Sequence, residues 1–143
     1  MKIKFKIVTP EKTVFESEID QATLPVADGE VTILPNHRSY IGALKAGEIM
    51  LKIGKEEINL AISGGFVEFN KNNLVVLADT AERAEEIDLK RAEEGRKKAE
   101  EIMKQKVSME DSEYARIAAA IEKEMARIRV AKKRHTKGGI KLE

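Results

Sequence analysis

The stretch AERAEEIDLKRA, residues 81–92, marks the point where this sequence changes from one pattern to another. Before it, apolar and polar residues alternate, which is the period of a β-strand. After it, apolar residues recur every three or four positions, which is the period of an amphipathic helix. Twenty of the first 80 residues are charged, against 31 of the last 63. We therefore predict a β domain over residues 1–84 and a helical domain over 85–143 that exposes most of its surface.

The β domain is indicated by repeated two-residue alternation. Ile3, Phe5 and Ile7 alternate with lysines, which predicts a strand with one buried and one solvated face. The same pattern recurs at Ala22, Leu24 and Val26; at Ile49, Leu51 and Ile53; at Ile58, Leu60 and Ile62; and at Val75 and Leu77. The segments 54–55 and 70–73 are expected to be hairpin turns, because Gly and Asn tolerate positive φ. About ten short strands with frequent turns predict a β-sandwich.

Two segments of this domain invite a chemical interpretation. The segment SGGF, residues 63–66, lacks the Lys-Ser/Thr that follows in a phosphate-binding loop, so a bulge or a close backbone approach is expected instead. His37 lies in the predicted exposed loop 34–38. Neither metal-ligand spacing nor a nucleophile motif surrounds it, so a solvated loop histidine is favoured over catalysis or metal binding.

The second half predicts two helices. A stripe of mostly small residues marks the first, namely Ala92, Gly95, Ala99, Ile102 and Met103. The second is expected from about Glu113 to Lys133, with Ser108, Asp111 or Ser112 as its N-cap and with a seam of Tyr114, Ile117, Ile121, Met125 and Ile128. The two should form an antiparallel hairpin that is only marginally stable and therefore movable, because each stripe is narrow. The glycine-containing end of the chain is expected to be disordered.

Composition excludes several classes of function. The chain has no cysteine, which excludes disulfides and thiolate metal sites. It has no apolar run near the roughly 20 residues that span a bilayer and no signal-peptide hydrophobic region, so we expect a soluble, cytoplasmic protein without direct membrane insertion. The net charge is +1, aromatic residues are few, and lysines alternate with glutamates. Nucleic-acid binding is therefore not indicated.

Asp88 and Arg91 leave two interpretations open. They lie three residues apart at the start of the first helix, so they can hold a polar ligand together or form a helix cap with a surface ion pair. If the hairpin folds back, Arg96 or Lys98 approaches Lys123 and Arg127. Like charges converge in this way most readily around an anion.

Four segments carry a resemblance to a known family: VTP at 8–10, GEVTILPNH at 29–37, SGGF at 63–66 and LADTAER at 77–83. With them the chain resembles the epsilon subunit of the bacterial F-type ATP synthase over nearly its whole length. That family has an N-terminal β-sandwich followed by two helices. Thr32 and Asn36 stand where the family usually has glycine.

The resemblance implies a non-catalytic subunit at the cytoplasmic face of the cell membrane, peripheral to it. It implies that the sandwich binds the gamma subunit and the membrane c-ring, with Glu30 at a ring-facing position and His37 at a gamma-facing one. The family's ATP motif corresponds to Ile87, Asp88, Arg91 and Ala92, preceded by the acidic Glu82. Further phosphate-contacting positions correspond to Lys98, Lys123 and Arg127, and only the last is still an arginine. Lysine retains the charge but loses the planar fork.

The resemblance also implies a mechanism. ATP, as a regulatory ligand without a required metal, holds the helices against the sandwich, and its loss lets them extend along gamma toward the catalytic alpha/beta subunits. There Lys123, Arg127, Arg129 and the basic tail would meet acidic surfaces and obstruct ATP hydrolysis. The alternative is a purely structural coupling subunit without ATP sensing. An independent enzyme is disfavoured, because the sequence shows no catalytic constellation.

Overall fold

The computed structural model describes residues 1–105 and 111–142, and the side chains of residues 1–104 and 112–133. This part of the chain forms ten strands, a 3₁₀ turn at Ala84–Glu86 and two helices. The strands are β1 Ile3–Val8, β2 Thr13–Ile19, β3 Gln21–Val26, β4 Gly29–Ile33, β5 Tyr40–Leu44, β6 Gly47–Ile53, β7 Glu56–Ile62, β8 Gly65–Asn70, β9 Asn73–Ala78 and β10 Ala81–Arg83. The helices are α1 Leu89–Gln105 and α2 Asp111–Leu142. The predicted sandwich followed by two helices is confirmed.

The strands follow the order β10-β7-β6-β3-β5-β8-β9-β1-β2, with β4 paired to β3. β1 and β9 run parallel, and the other strand pairs of the described sheet are antiparallel. The sheet encloses one apolar core. Its largest fully buried side chains include Ile3, Phe5, Ile7, Ile19, Leu24, Leu51, Leu60, Phe69 and Leu74. The alternation at Ile3, Phe5 and Ile7 therefore identified the core face of β1 correctly.

The predicted turns are confirmed. Gly54 joins β6 to β7 with φ at +60°, and Lys71 and Asn72 join β8 to β9 with φ at +49° and +61°. Gly65 has φ at +152°, and a Cβ atom placed there would collide with the carbonyl oxygen of Leu77 and lie 2.9 Å from the Cα of Ala78. The segment 63–66 is therefore a close backbone approach that leads into β8, as predicted.

The predicted buried face of β9 is wrong. Leu74, Val76 and Ala78 are buried, whereas Val75 is half-buried and Leu77 is 57% exposed. The run LVVLA is apolar at every position, so its alternation has two possible phases. Pairing decides between them: Leu74 lies opposite Phe69, and Val76 lies opposite Val67 on the core face of β8.

The helix ends also differ from the prediction. The backbone of α2 stays helical through Leu142 instead of ending near Lys133 in a disordered tail. Glycine in a helix costs roughly 1 kcal/mol relative to alanine, which weakens a helix without ending it, and no proline follows. Asp111 and Ser112 are the first two helical residues. Ser108 lies outside the described residues.

The predicted seam of α2 is only partly correct. Ile128 is buried and Ile117 and Ile121 are half-buried, but Tyr114 and Met125 are exposed. Ala126, Val130 and Ala131 are buried instead. The reason is that α2 packs along α1 over part of its length and against β6, β7 and the 3₁₀ turn over another part. A single apolar stripe at helical spacing therefore does not predict the buried residues of a helix that packs against different elements along its length. None of the described helices combines the length and hydrophobicity needed to cross a bilayer.

Candidate functional site

The first element of the site is the start of α1, which Asp88 caps. Its Oδ1 accepts a hydrogen bond from the backbone N–H of Arg91 at 3.1 Å, and its carbonyl oxygen accepts one from the N–H of Ala92 at 3.0 Å. Both contacts are typical of an N-cap aspartate. The contact of Asp88 with Arg91 thus uses the arginine's backbone, and both side chains are exposed.

The second element is an ion pair between the sandwich and α2. Arg127 Nε lies 2.8 Å from Glu82 Oε1, and Arg127 Nη2 donates to Glu82 Oε2 at 3.2 Å. The pair thus combines one charge-assisted hydrogen bond, from Nη2, with a close ionic contact at Nε, which itself forms no hydrogen bond. Glu82 lies on the short edge strand β10, which pairs with β7. The pair therefore fixes a helix to the sheet across 45 positions of sequence.

A second carboxylate contacts the same guanidinium. Arg127 Nη1 donates to both oxygens of Glu124, at 3.2 and 2.9 Å. Glu124 lies one turn earlier on α2 and faces Gly95 of α1, where an added Cβ would be 3.3 Å from the Glu124 Cδ. Gly95 thus lets the two helices approach closely. The sequence analysis missed Glu124, although its i,i+3 spacing to Arg127 was the available signal.

Beneath these charges lies a small apolar cluster that joins the two domains. It consists of Ala61, Ala84, Ile87, Val130 and Ala131, with Leu89 packed against it. Ile87 is 8% exposed, and Ala92 is fully buried. Two residues of the predicted ATP motif, Ile87 and Ala92, are therefore packing residues that position the start of α1. We call the place where β10, the start of α1 and α2 meet the junction.

The two lysines of the predicted site are less constrained. Lys98 is exposed on α1, and Lys123 is half-buried on α2. Arg96 lies 3.8 Å from Glu100 on its own helix. Their contribution to an anion site stays a prediction. Among the described residues, no cluster of three or more His, Asp or Glu side chains is arranged to hold a metal ion.

A second ion pair lies further along α2. Lys133 Nζ donates to Glu48 Oε1 at 2.7 Å and lies 3.3 Å from the sulfur of Met50. Glu48 is 7% exposed on β6, and its other oxygen is buried without a hydrogen-bond partner. A cleft of about 520 Å³ beside it lies between the sheet and α2 and includes Glu30, Glu122 and Arg129 in its lining.

With this geometry established, comparison with known proteins identifies the family. Residues 2–84 match the family model of the ATP synthase delta/epsilon chain β-sandwich domain, and residues 85–132 match that of its long alpha-helix domain. The chain belongs to the ATP synthase delta/epsilon chain family. This confirms the resemblance carried by the four sequence segments.

Individual relatives agree with the family. The ATP synthase epsilon chain of Dehalococcoides mccartyi strain BAV1 is 47% identical over 133 residues, which is 93% of this chain and 94% of that protein. The epsilon chain of Desulforamulus reducens is 44% identical over 128 residues, 90% of this chain and 96% of that one. That of Geobacter sulfurreducens is 39% identical over 132 residues, 92% of this chain and 95% of that one.

Two solved structures share the fold. A chain of the Euglena gracilis mitochondrial ATP synthase, from a structure of its OSCP/F1/c-ring part, matches with a TM-score of 0.72 and 19% identity over 85% of this chain and 76% of that one. A chain from the central stalk/c-ring structure of the Tetrahymena thermophila enzyme matches with a TM-score of 0.56 and 15% identity, over 93% of this chain and 96% of that one.

The two residues predicted to contact other subunits lie in different places in this delta/epsilon chain. Glu30 is exposed on β4. His37 is half-buried in the loop before β5, with its ring edge-on to Tyr40 and Phe69 at centroid distances of 6.5 and 6.0 Å. Its Nδ1 donates to the Arg38 carbonyl oxygen at 2.7 Å. The loop therefore presents a fixed imidazole.

The sheet also carries an exposed apolar surface that the sequence analysis missed. Phe66 and Leu77 form a cross-strand pair and are 62% and 57% exposed. Ala43 pairs with Phe66, and Val8 pairs with Leu77, which completes a row across four strands. We call these four residues the outer apolar row. Exposed apolar residues grouped in this way are a candidate contact site for a partner.

Proposed function

We propose that this chain is the epsilon subunit in the central stalk of an F-type ATP synthase, peripheral to the cytoplasmic face of the cell membrane. It has no catalytic role of its own. Its sandwich binds the gamma subunit and the c-ring, with His37 and Glu30 in those contacts. Support comes from the curated epsilon chains, from the central-stalk and c-ring context of the structural neighbours, and from the outer apolar row, which offers a surface for a protein partner.

The helical domain acts as an ATP-sensing regulator of hydrolysis. The observation that carries this proposal is the direct contact between Glu82 and Arg127, two predicted ATP-site residues that are 45 positions apart, above the packed Ile87. A ligand at the junction touches the sheet edge and both helices together. It therefore binds the folded conformer more tightly than an extended one, which is the condition for shifting the equilibrium.

Loss of ATP permits the extended state. Among the residues whose side chains are described, two ion pairs hold the docked helix, together with mostly small side chains, such as Ala61, Ala84 and Ala131, which bury little area each. Once α2 leaves the sheet, Lys123, Arg127, Arg129 and the basic tail are available to acidic surfaces of the catalytic alpha/beta subunits. Their contact there obstructs rotation and so inhibits hydrolysis.

The test is calorimetric titration of the full chain with ATP, without magnesium and then with it. We expect binding that is lost or strongly weakened in Asp88→Ala, Arg91→Ala and Arg127→Ala. Arg129→Ala is the matched control, because it removes the same charge from an exposed position two residues further along α2. Loss of binding in the control as well would contradict a specific site, and absence of binding by the wild type would contradict ATP sensing.

A purely structural coupling subunit is the second candidate. It is favoured by the observation that Asp88 caps α1 and that Arg127 is paired with two carboxylates of this chain. In this case the folded hairpin needs no ATP. The expected result is an absence of nucleotide binding together with unchanged ATP hydrolysis by the assembled enzyme after truncation at residue 85.

A further inference from the structure

Arg127 lies in an environment of net negative charge. The edge formed by its Nε and Nη2 is taken by Glu82, and its Nη1 is taken by both oxygens of Glu124. One positive charge thus faces two carboxylates. The side chains of Arg127 and Glu124 are 19% and 16% exposed, so solvent screens these interactions only partly. An incoming phosphate group meets an arginine whose Nη1 already donates to Glu124 and whose Nη2 donates to Glu82, while its buried Nε makes no hydrogen bond.

The two carboxylates differ in what they hold together. Glu82 joins the sheet to α2 through a hydrogen-bonded ion pair, so displacing it weakens the docking of the helix. Glu124 lies on the same helix as Arg127, three residues earlier, and such intrahelical pairs contribute little to stability. Exchange of Glu124 for a phosphate group therefore leaves the folded hairpin intact. Of the two, Glu124 is the carboxylate that an anion can replace.

Glu124 also lies where the two helices approach each other closely. Its side chain contacts Gly95 on the facing surface of α1, two turns after the Asp88 cap. Gly95 has no side chain, and a Cβ there would lie 3.3 Å from the Glu124 Cδ, so a larger residue on α1 would crowd this carboxylate. The described geometry thus shows the carboxylate on Arg127, at a point where α1 leaves it uncrowded by a side chain at position 95.

We propose that Glu124 is a built-in competitor for the anion site. Its carboxylate occupies the Nη1 side of Arg127 that a phosphate group of ATP requires, and so it lowers the affinity of the junction for the nucleotide. This inference rests on the proposed function, that ATP binds at the junction. In this proposal Arg127 raises the affinity for ATP and Glu124 lowers it. The charge of Glu124 therefore adjusts the nucleotide concentration at which the hairpin stays folded.

The test is calorimetric titration of the full-length Glu124→Gln variant with ATP. Glutamine keeps the shape of the side chain against Gly95 and removes its charge. We expect the dissociation constant to fall about three- to tenfold, because one unfavourable unit charge is removed a few ångströms from the phosphate position. The matched control is Glu122→Gln, which removes the same charge from an exposed position on the same helix. For Glu122→Gln we expect the dissociation constant for ATP to change by less than about twofold.

A second cycle separates competition from a general charge effect. In an Arg127→Ala background, Glu124→Gln should give no gain, because the donor for which it competes is absent. A gain that persists without Arg127, or an equal gain in Glu122→Gln, would overturn the inference. If Glu124→Gln does not reproduce the wild-type circular dichroism, Glu124→Asp replaces it, since the shorter side chain withdraws the carboxylate from Nη1. Tighter binding is expected again, and its absence overturns the inference.

The outcomes distinguish this inference from the proposed function. If the wild type binds ATP and Glu124→Gln binds it equally or more weakly, the glutamate positions Arg127 instead of competing for it, and only the inference fails. If neither the wild type nor Glu124→Gln binds ATP, the ATP-sensing function fails, and the inference fails with it.

Discussion

Lys133 on α2 donates a hydrogen bond of 2.7 Å to Glu48 on β6, across 85 positions of sequence. Together with the contact between Arg127 and Glu82, it fixes α2 to the sheet at two places about two helical turns apart. The apolar cluster between them is small. Docking of the helical domain therefore depends on ion pairs more than the core of the sandwich does, and a change of charge at these positions should release the helix while the sandwich stays folded.

Lys133→Met should weaken the docking of α2 by about 1–3 kcal/mol, because it leaves the buried carboxylate of Glu48 without its cation. Undocking returns Glu48 to water and relieves this cost. The measurement is amide hydrogen exchange, which should become faster in β6 and in the C-terminal half of α2. Lys132→Met is the control, because Lys132 is the exposed neighbour of Lys133 and this variant loses the same charge. Equal exchange in the two variants would contradict the role of Lys133.

Gly65→Ala should destabilise the sandwich strongly, because its Cβ would collide with the backbone of Leu77 and Ala78 at a φ that disfavours side chains. Gly54→Ala is the matched control: φ is also positive there, but no atom lies within 4 Å of the added Cβ. We expect the free energy of unfolding to fall by about 1–2 kcal/mol for Gly54→Ala and by at least about twice that for Gly65→Ala. Urea unfolding measures both values, and similar losses would show that steric collision at Gly65 is unimportant.

The double variant Phe66→Ser, Leu77→Ser should bind the gamma subunit at least about tenfold more weakly, with less than about 1 kcal/mol lost in the free energy of unfolding. Both side chains are mostly exposed in the isolated chain, so their loss costs little until a partner covers them. Affinity is measured by titration with gamma. Ile102→Ser, an exposed apolar position on α1, is the control and should leave the affinity unchanged. Unchanged binding by the double variant would exclude the outer apolar row from the gamma contact.

Asp20 should make stability depend on acid pH. The hydrogen bond from Lys2 and then that from the Gly54 backbone hold the pKa of Asp20 below its usual value of 3.8. Asp20 accepts these bonds at 2.8 and 2.6 Å. Because the folded pKa is the lower one, the stabilisation is present above pH 3.8 and disappears as the pH falls through the folded value.

The wild type should therefore be more stable than Asp20→Asn at neutral pH, and the difference should shrink as the pH falls below 3.8. Urea unfolding at a series of pH values measures it. Lys2→Met should reduce the same pH dependence, because it removes the cation that lowers the pKa. A constant difference between wild type and Asp20→Asn over this range would show that the ionisation of Asp20 is not coupled to folding.

Local patterns predicted the elements that depend on neighbouring residues. The alternation at Ile3, Phe5 and Ile7, the turns at Gly54 and at 71–72, and the close approach at Gly65 all agree with the structure. Asp88 is the cap of α1, as one of the two open interpretations proposed. These features depend on backbone sterics and side-chain periodicity within a few consecutive residues. They can therefore be predicted from the sequence.

Other features needed the three-dimensional arrangement. LVVLA is consistent with either face of a strand, and only the pairing of β9 with β8 turned Leu77 outward. The burial of Val130 and Ala131 followed from the sheet against which α2 packs.

The sequence by itself determined the order of the domains, most of the strands and turns, and the motif at residues 87–92. The tertiary structure alone decided the partners of the charged residues. Arg127 has Glu82 and Glu124, and Lys133 has Glu48. The physical reason is that an ion pair depends on distance in space, and two of these three pairs join residues far apart in the chain, whose approach depends on how the whole sheet and both helices pack.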